Sequence, residues 1–279
     1  MLKISRLSLI VSTLLLLSTL SGCFNKKVET ISLLVSQDSR PYTFKDVHDA
    51  EIVGFEIELM KHVAQKLGKT LKIKPAEFAS IFADIEGSEA ECAVACISPT
   101  QSRRKIYDFS VPYASSKLVL ISKKGKGISS IEDLFSKTLA MKSGSTCEEV
   151  ARKISDQTFG VIIKPLQNND VLIEELSTDG ADALIMDSLT AEHFCNENSE
   201  LFIVCPISEE LLSFGANSIA VMLPKGSPLT AKINSTILEM QKDGSLQSLE
   251  QSWLKSPLSQ ENQHLEEEAK VQPNSHASS

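Results

Sequence analysis

The chain has 279 residues, 42% of them hydrophobic, with 28 basic residues against 36 acidic ones and a formal net charge of −8. That length allows one or two domains, each with a real core. The acidic balance argues against nucleic acid as a partner, because phosphate binding needs clustered Lys and Arg.

Residues 1–22 read as a removable secretory signal. Lys3 and Arg6 precede an apolar stretch from Leu7 to Leu20, which ends in Ser21 and Gly22. Charged, apolar and small regions in that order make a signal peptide. The apolar run is short for a membrane span, which takes about 20 residues. Leu20-Ser21-Gly22-Cys23 resembles the bacterial lipobox. That resemblance implies cleavage before Cys23 and lipidation of Cys23, and more than one acyl chain makes a stable tether. Loss of residues 1–22 removes two basic and no acidic residues, leaving a charge near −10. Residues 23–30 form a lipidated tether in this reading.

Ile31 to Val35 is strand-like, and Arg40-Pro41 begins a loop. Glu51 to Leu67 reads as a helix, with Ile57, Met60, His62, Val63, Ala64 and Leu67 on one side and Gly68 as its stop. Leu71 to Ile73 begins a strand, Phe78 to Ile85 suits a short helix, and Cys92 to Ile97 is again strand-like. Strands are expected at Lys117–Ser122, Leu139–Lys142, Val161–Ile163, Ala183–Met186 and Ser218–Leu223. Between them lie helical segments at Ile131–Leu134, Glu148–Ile154, Asp170–Leu176 and Leu189–Phe194. Leu229 to Leu254 reads as two helices broken at Asp243-Gly244. This alternation predicts an α/β fold with a largely parallel sheet. The segment 256–279 is rich in Glu, Gln, Asn and Ser and is expected to be a disordered tail.

Five cysteines follow Cys23, namely Cys92, Cys96, Cys147, Cys195 and Cys205, and none makes a C-x-x-C pattern. An odd number cannot all pair within one chain, and small buried thiols are the expected state. No metal cluster, nucleophile elbow or phosphate loop appears, so no cofactor and no catalytic residue is expected.

Several short motifs fall in one order. Gly54-Phe55-Glu56-Ile57-Glu58-Leu59 looks like GFDxDL, Ser98-Pro99-Thr100-Gln101-Ser102-Arg103 like S-x-T-x-x-R, and Asp108 to Tyr113 like DFSxPY. Ser143-Gly144-Ser145-Thr146, Gly180-Ala181-Asp182-Ala183 with Asp187, and Lys242 to Leu246 with Trp253 continue the series. Together, over about residues 31–254, they resemble family 3 of the bacterial solute-binding proteins. The resemblance implies a type II binding-protein fold: two α/β lobes, two hinge strands and a ligand cleft between the lobes. It assigns 31–115 and 213–255 to lobe 1 and 116–212 to lobe 2. It also implies a monomer on the periplasmic side of a bacterial membrane, handing a polar amino acid to the permease of an ABC importer.

An amino acid presents a carboxylate and an ammonium. Arg103 can hold the first through its planar fork of donors, and Asp187 can accept from the second. The resemblance places both residues in those roles. Backbone donors near Ser98, Ser145 and Thr146 would assist, since a helix N-terminus favours anions. Phe78 matches a position that packs on the ligand side chain. Cys96 stands where a small polar residue lines the pocket, and Ser36 where several binders carry an acid. Glu56 falls at the variable acid of GFDxDL, within reach of a cationic side chain. Ser39-Arg40-Pro41-Tyr42 departs from the family's Y-x-P-F, so one half of the aromatic clamp is absent unless Tyr42 or Phe44 replaces it. Ser36 weakens the case for arginine or lysine, and Arg40 at the cleft mouth suits an anionic or neutral polar side chain. Two other readings remain open. One is a cyclohexadienyl dehydratase-like enzyme using Glu56 or Glu77 as its acid; the other is a sensor or envelope lipoprotein that works through its tail.

Overall fold

A computed structural model describes residues 28–48 and 50–254. The signal segment, Cys23 and the tail from Ser256 lie outside the described residues.

The chain opens with β1 (Thr30–Val35), three short strands β2 (Asp38–Ser39), β3 (Thr43–Lys45) and β4 (Ile52–Val53), and helix α1 (Phe55–Lys66). It continues through β5 (Thr70–Pro75), α2 (Phe78–Glu86), β6 (Cys92–Val94), α3 (Gln101–Ile106) and β7 (Tyr107–Phe109). A connecting strand, β8 (Ala114–Ser115), leads to β9 (Leu118–Lys123), β10 (Thr138–Lys142), α4 (Thr146–Gln157), β11 (Ile162–Leu166) and α5 (Asn169–Ser177). Next come β12 (Ala183–Asp187), α6 (Ser188–Glu197) and β13 (Leu201–Pro206). The return strand β14 (Ser218–Ile219) pairs with β8, and β15 (Met222–Pro224), α7 (Leu229–Asp243) and α8 (Ser245–Trp253) finish the chain.

Two five-stranded sheets result, ordered β5-β1-β6-β15-β7 and β11-β10-β12-β9-β13. Each anchors a lobe with its own apolar layers, around Leu33, Ile57 and Val221 in one and Leu120, Leu139 and Ile185 in the other. The inner strands read as continuous apolar runs because helices cover both faces; β9 is buried from Leu118 to Ser122. Pro165 lies on β11, an edge strand, where its missing N–H breaks no inner ladder.

The α/β class and the two-lobed fold expected above are present. The sheets are less parallel than expected. In each, two pairings are parallel and two antiparallel, because β15 and β9 run against their neighbours. The helix expected from Glu51 starts only at Phe55, and Ile52–Val53 pairs with β3 instead. Gly54 forces this boundary: at φ 128 it feeds Phe55 and Glu56 N–H groups onto the Pro41 and Tyr42 carbonyls. His62 is exposed rather than on the core side. Gly68, at φ 65, follows the helix as expected, and its N–H and that of Lys69 close a Schellman turn on Gln65 and Ala64. The strand-like run from Cys92 ends at Val94, Ser218–Leu223 is split into two short strands, and β13 was not anticipated.

Gly54 is the position least able to carry a side chain. A Cβ there would lie 2.9 Å from the Pro41 carbonyl oxygen and overlap that of Tyr42. Gly54→Ala is expected to destabilise the protein by about 3 kcal/mol or more, through overlap and left-handed backbone strain, read from urea unfolding.

Candidate functional site

Between the lobes lies a cleft of about 530 Å³, counting the space open to solvent. Of the residues expected to form a site, Arg103, Asp187, Ser98, Ser145, Thr146, Phe78 and Cys96 all line it.

Arg103 is buried in α3, where Thr100 caps the helix by accepting the Arg103 N–H. Its guanidinium donates to the Ser98 carbonyl at 2.9 Å and, across the cleft, to the Gly144 carbonyl at 2.9 Å. It stacks over the Phe82 ring, 4.8 Å from the centroid. Burial lowers its pKa to about 10, so it stays cationic at neutral pH. Among the described residues it has no carboxylate partner, which leaves its charge for a ligand.

Asp187 ends β12 and begins α6. One oxygen caps that helix, accepting from Leu189 N at 3.0 Å and Thr190 N at 3.3 Å. The other oxygen is buried and makes no hydrogen bond among the described residues, as is true of the nearby Thr190 hydroxyl. Capping and cleft lining are thus properties of one side chain. Burial raises the carboxyl from 3.8 to about 7, against the opposing pull of its two backbone donors. Without a cationic partner it is close to half protonated near neutrality. The Tyr42 hydroxyl is buried near Asp187 and has no hydrogen-bond partner among the described residues.

Ser98 and Ser145 spend their hydroxyls locally, on the Ala216 carbonyl at 2.9 Å and the Lys142 carbonyl at 2.6 Å. Ser145 stands at the N-cap position of α4 without a side-chain cap bond; the Glu148 side chain instead reaches back to accept from Gly144 N at 2.8 Å, which fixes the loop that faces Arg103. Phe78 lines the cleft and also belongs to the first lobe's core.

Ser36 and Glu56 are placed differently. Ser36 does not line the cleft and donates to Asp38. Glu56 is fully buried behind the cleft wall, accepting from Cys96 N at 2.9 and 3.1 Å and from the Tyr113 hydroxyl. It therefore fixes the turn at Cys96, which sits at φ 54, and does not reach a ligand side chain. Burial raises its carboxyl from 4.5 to about 7, opposed by Tyr113 and Cys96. Tyr42 is in the core, and Phe44 packs against Trp253 under the Arg40 guanidinium, so neither replaces the absent clamp aromatic.

One buried interlobe ion pair was not anticipated. Lys142, at the end of β10, reaches Asp38 on β2 at 3.1 Å and the Ser39 hydroxyl at 3.0 Å. Asp38 also accepts from Asn169 N, at the start of α5, at 2.8 Å. Burial pushes Asp38 up, but Lys142, Ser36 and Asn169 outweigh it and hold its pKa below the ordinary value. Lys142 further lies 4.9 Å from the Phe78 ring centre. The sequence signal for this lysine is faint: it directly precedes the Ser-Gly-Ser-Thr loop.

Residues 31–256 match the family model for bacterial extracellular solute-binding proteins, family 3. The chain belongs to that family. Among relatives of this kind, the arginine-binding extracellular protein of Bacillus subtilis (strain 168) is 30% identical over 220 residues, covering 78% of this chain and 83% of that protein. The L-cystine-binding protein of Escherichia coli (strain K12) is 28% identical over 237 residues, covering 83% and 86%. A crystal structure of the substrate-binding protein of an amino acid ABC transporter superposes with a TM-score of 0.75 at 30% identity, covering 81% of this chain and all of that one. Family members are extracellular solute binders, and these relatives are named as binding proteins rather than enzymes.

Two outcomes test the electrostatics. Asp38→Asn leaves Lys142 buried without its anion and is expected to cost about 3 kcal/mol in urea unfolding. Glu56 gives a pH signature. The unfolded chain releases this proton near pH 4.5 and the folded chain holds it to about pH 7. Its contribution is therefore full below pH 4.5 and lost as the pH rises to 7. Asp187 adds a slope of the same sign between 3.8 and about 7. Glu56→Gln is expected to remove about half of the stability lost between pH 4.5 and 7, on the order of 2–3 kcal/mol.

Proposed function

We propose that the chain is a lipid-anchored receptor that captures a neutral polar amino acid between its lobes and delivers it to the permease of an ABC importer. The observation that carries this reading is the pairing of Arg103 and Asp187 on one cleft, one from each lobe, with an Asp187 oxygen left unbonded. Arg103 takes the α-carboxylate by a bidentate fork, and Asp187 takes the α-ammonium. Residues 31–115 with 213–255, and 116–212, are the two moving bodies, and β8 with β14 is the hinge. Acylation of Cys23 keeps the receptor beside the membrane.

The side-chain preference follows from Lys142. An ammonium already lies on the cleft wall, and Asp38, its counter-charge, is engaged by Lys142, Ser36 and Asn169. A cationic ligand side chain would meet a like charge in a medium of low dielectric. Glu56 cannot offset it, being bound to Cys96 and Tyr113. Glutamine-like side chains, which both donate and accept, fit Lys142, Ser39 and Asn169.

Calorimetric titration against the twenty amino acids should give micromolar or tighter binding, about −8 kcal/mol, for a neutral polar amino acid. Arginine and lysine should bind about 100-fold more weakly, and Arg103→Ala should lose about 30-fold or more. Silence across the panel, or a preference for arginine, overturns the reading. Affinity should also fall as the pH drops below about 7, because Asp187 must lose its proton to meet the ammonium. The slope approaches tenfold per pH unit, and Asp187→Asn should abolish it along with most of the affinity.

A further inference from the structure

Two of the five described cysteines, Cys96 and Cys147, line the interlobe cleft. They belong to different bodies: Cys96 packs against the core of the first lobe, and Cys147 is part of the core of the second. Both backbones are fixed. Cys96 is held at φ 54 by Glu56, and Cys147 lies in the first turn of α4, behind the Gly144–Glu148 bond. Burial pushes both upward, Cys147 to about 11, so both are neutral thiols at ordinary pH.

Nothing in amino-acid binding requires two thiols on opposite walls of one cleft. The other cysteines are placed differently. Cys92 is sealed in the first lobe's core, and Cys195 and Cys205 pack on separate apolar layers of the second lobe.

We infer that Cys96 and Cys147 form a dithiol modification site, at which a small disulfide, RSSR, converts the pair into a covalent crosslink between the lobes. One thiol gives up its proton, and its sulfur attacks RSSR; a protein–SR bond forms as the R–S–S–R bond breaks, and the released RS⁻ takes up a proton as RSH. The second thiol then attacks the protein-bound sulfur, loses its proton and expels the second RS⁻, which leaves as RSH. The protein dithiol is oxidised by two electrons and RSSR is reduced to two RSH. A disulfide needs Cα atoms about 4.4–6.8 Å apart, so the bond can close only with the lobes together, and it then holds them shut. Entry of RSSR requires the lobes to part, so the ligand-free protein is the substrate. The thiolate is the attacking species, and the reaction therefore accelerates as the pH rises.

The crosslink does not depend on which ligand binds; only its effect on binding rests on the function proposed above. The full chain would be incubated with oxidised glutathione in alkaline buffer, quenched in acid and digested without reduction for peptide mass mapping. The expected product is a linked peptide pair containing Cys96 and Cys147. Small-angle scattering should show the oxidised, ligand-free protein fixed in its compact form, with dithiothreitol restoring the open one. The link should persist in a Cys195→Ser/Cys205→Ser variant and vanish in Cys147→Ser. The amino acid that binds the reduced chain should bind the oxidised chain about tenfold or more weakly, recovering on reduction. Glutathione adducts on separate thiols, or links to any other cysteine, overturn the proposal. If no amino acid binds at all, the mapping and scattering still decide it, and only the functional reading falls.

Discussion

The buried pair of Lys142 and Asp38 is the constraint on which the cleft depends. It joins the end of a central strand in one lobe to the first short strand of the other, and the start of α5 completes it through Asn169. A pair so buried gains little net stability over an apolar replacement, yet breaking one side of it is costly. Its effect is therefore geometric. With the lobes joined this way, Arg103 meets the Gly144 carbonyl, and the loop before α4 faces α3. The same contact engages both oxygens of Asp38.

The cleft also shows how helix termini are put to two uses. Asp187 caps α6 with one oxygen and presents the other to the cavity. Thr100 likewise caps α3 directly ahead of Arg103. Caps are rigid because their partners are backbone groups, so Asp187 and Arg103 are positioned on the cleft by the same bonds that start their helices. Glu56 extends this arrangement one layer back, fixing the Cys96 turn from within the core.

The fold, and the meeting of Arg103 and Asp187 on one cleft, were legible in the sequence because each rests on a contiguous signal. Arg103 and Asp187 sit inside short motifs, and strand-helix alternation is readable as periodicity. The interlobe pair was not legible. Asp38 and Lys142 are 104 residues apart; one reads as a turn residue and the other as an ordinary charge after an apolar run. Glu56 carried a signal for the wrong reason, since a glutamate in the first turn of a helix looks solvent-facing, and only the three-dimensional neighbours, Tyr113 and Cys96, explain its burial. The short strands β2, β3 and β4 escaped because two or three residues show no period, and β13 because its mixed run after a helix lacks clear alternation.

The placement of β15 has a consequence for how the molecule is made. That strand sits between β6 and β7, so the first sheet has a gap at its fourth position until residues 222–224 arrive. The second sheet draws all its strands from one unbroken stretch, 118–206. In a chain threaded N-terminus first, the second lobe can complete itself while the first still waits, with the open edges of β6 and β7 exposed. The segment that returns after β13 thus acts as a keystone, and the order of emergence leaves the earlier-made lobe the later to mature.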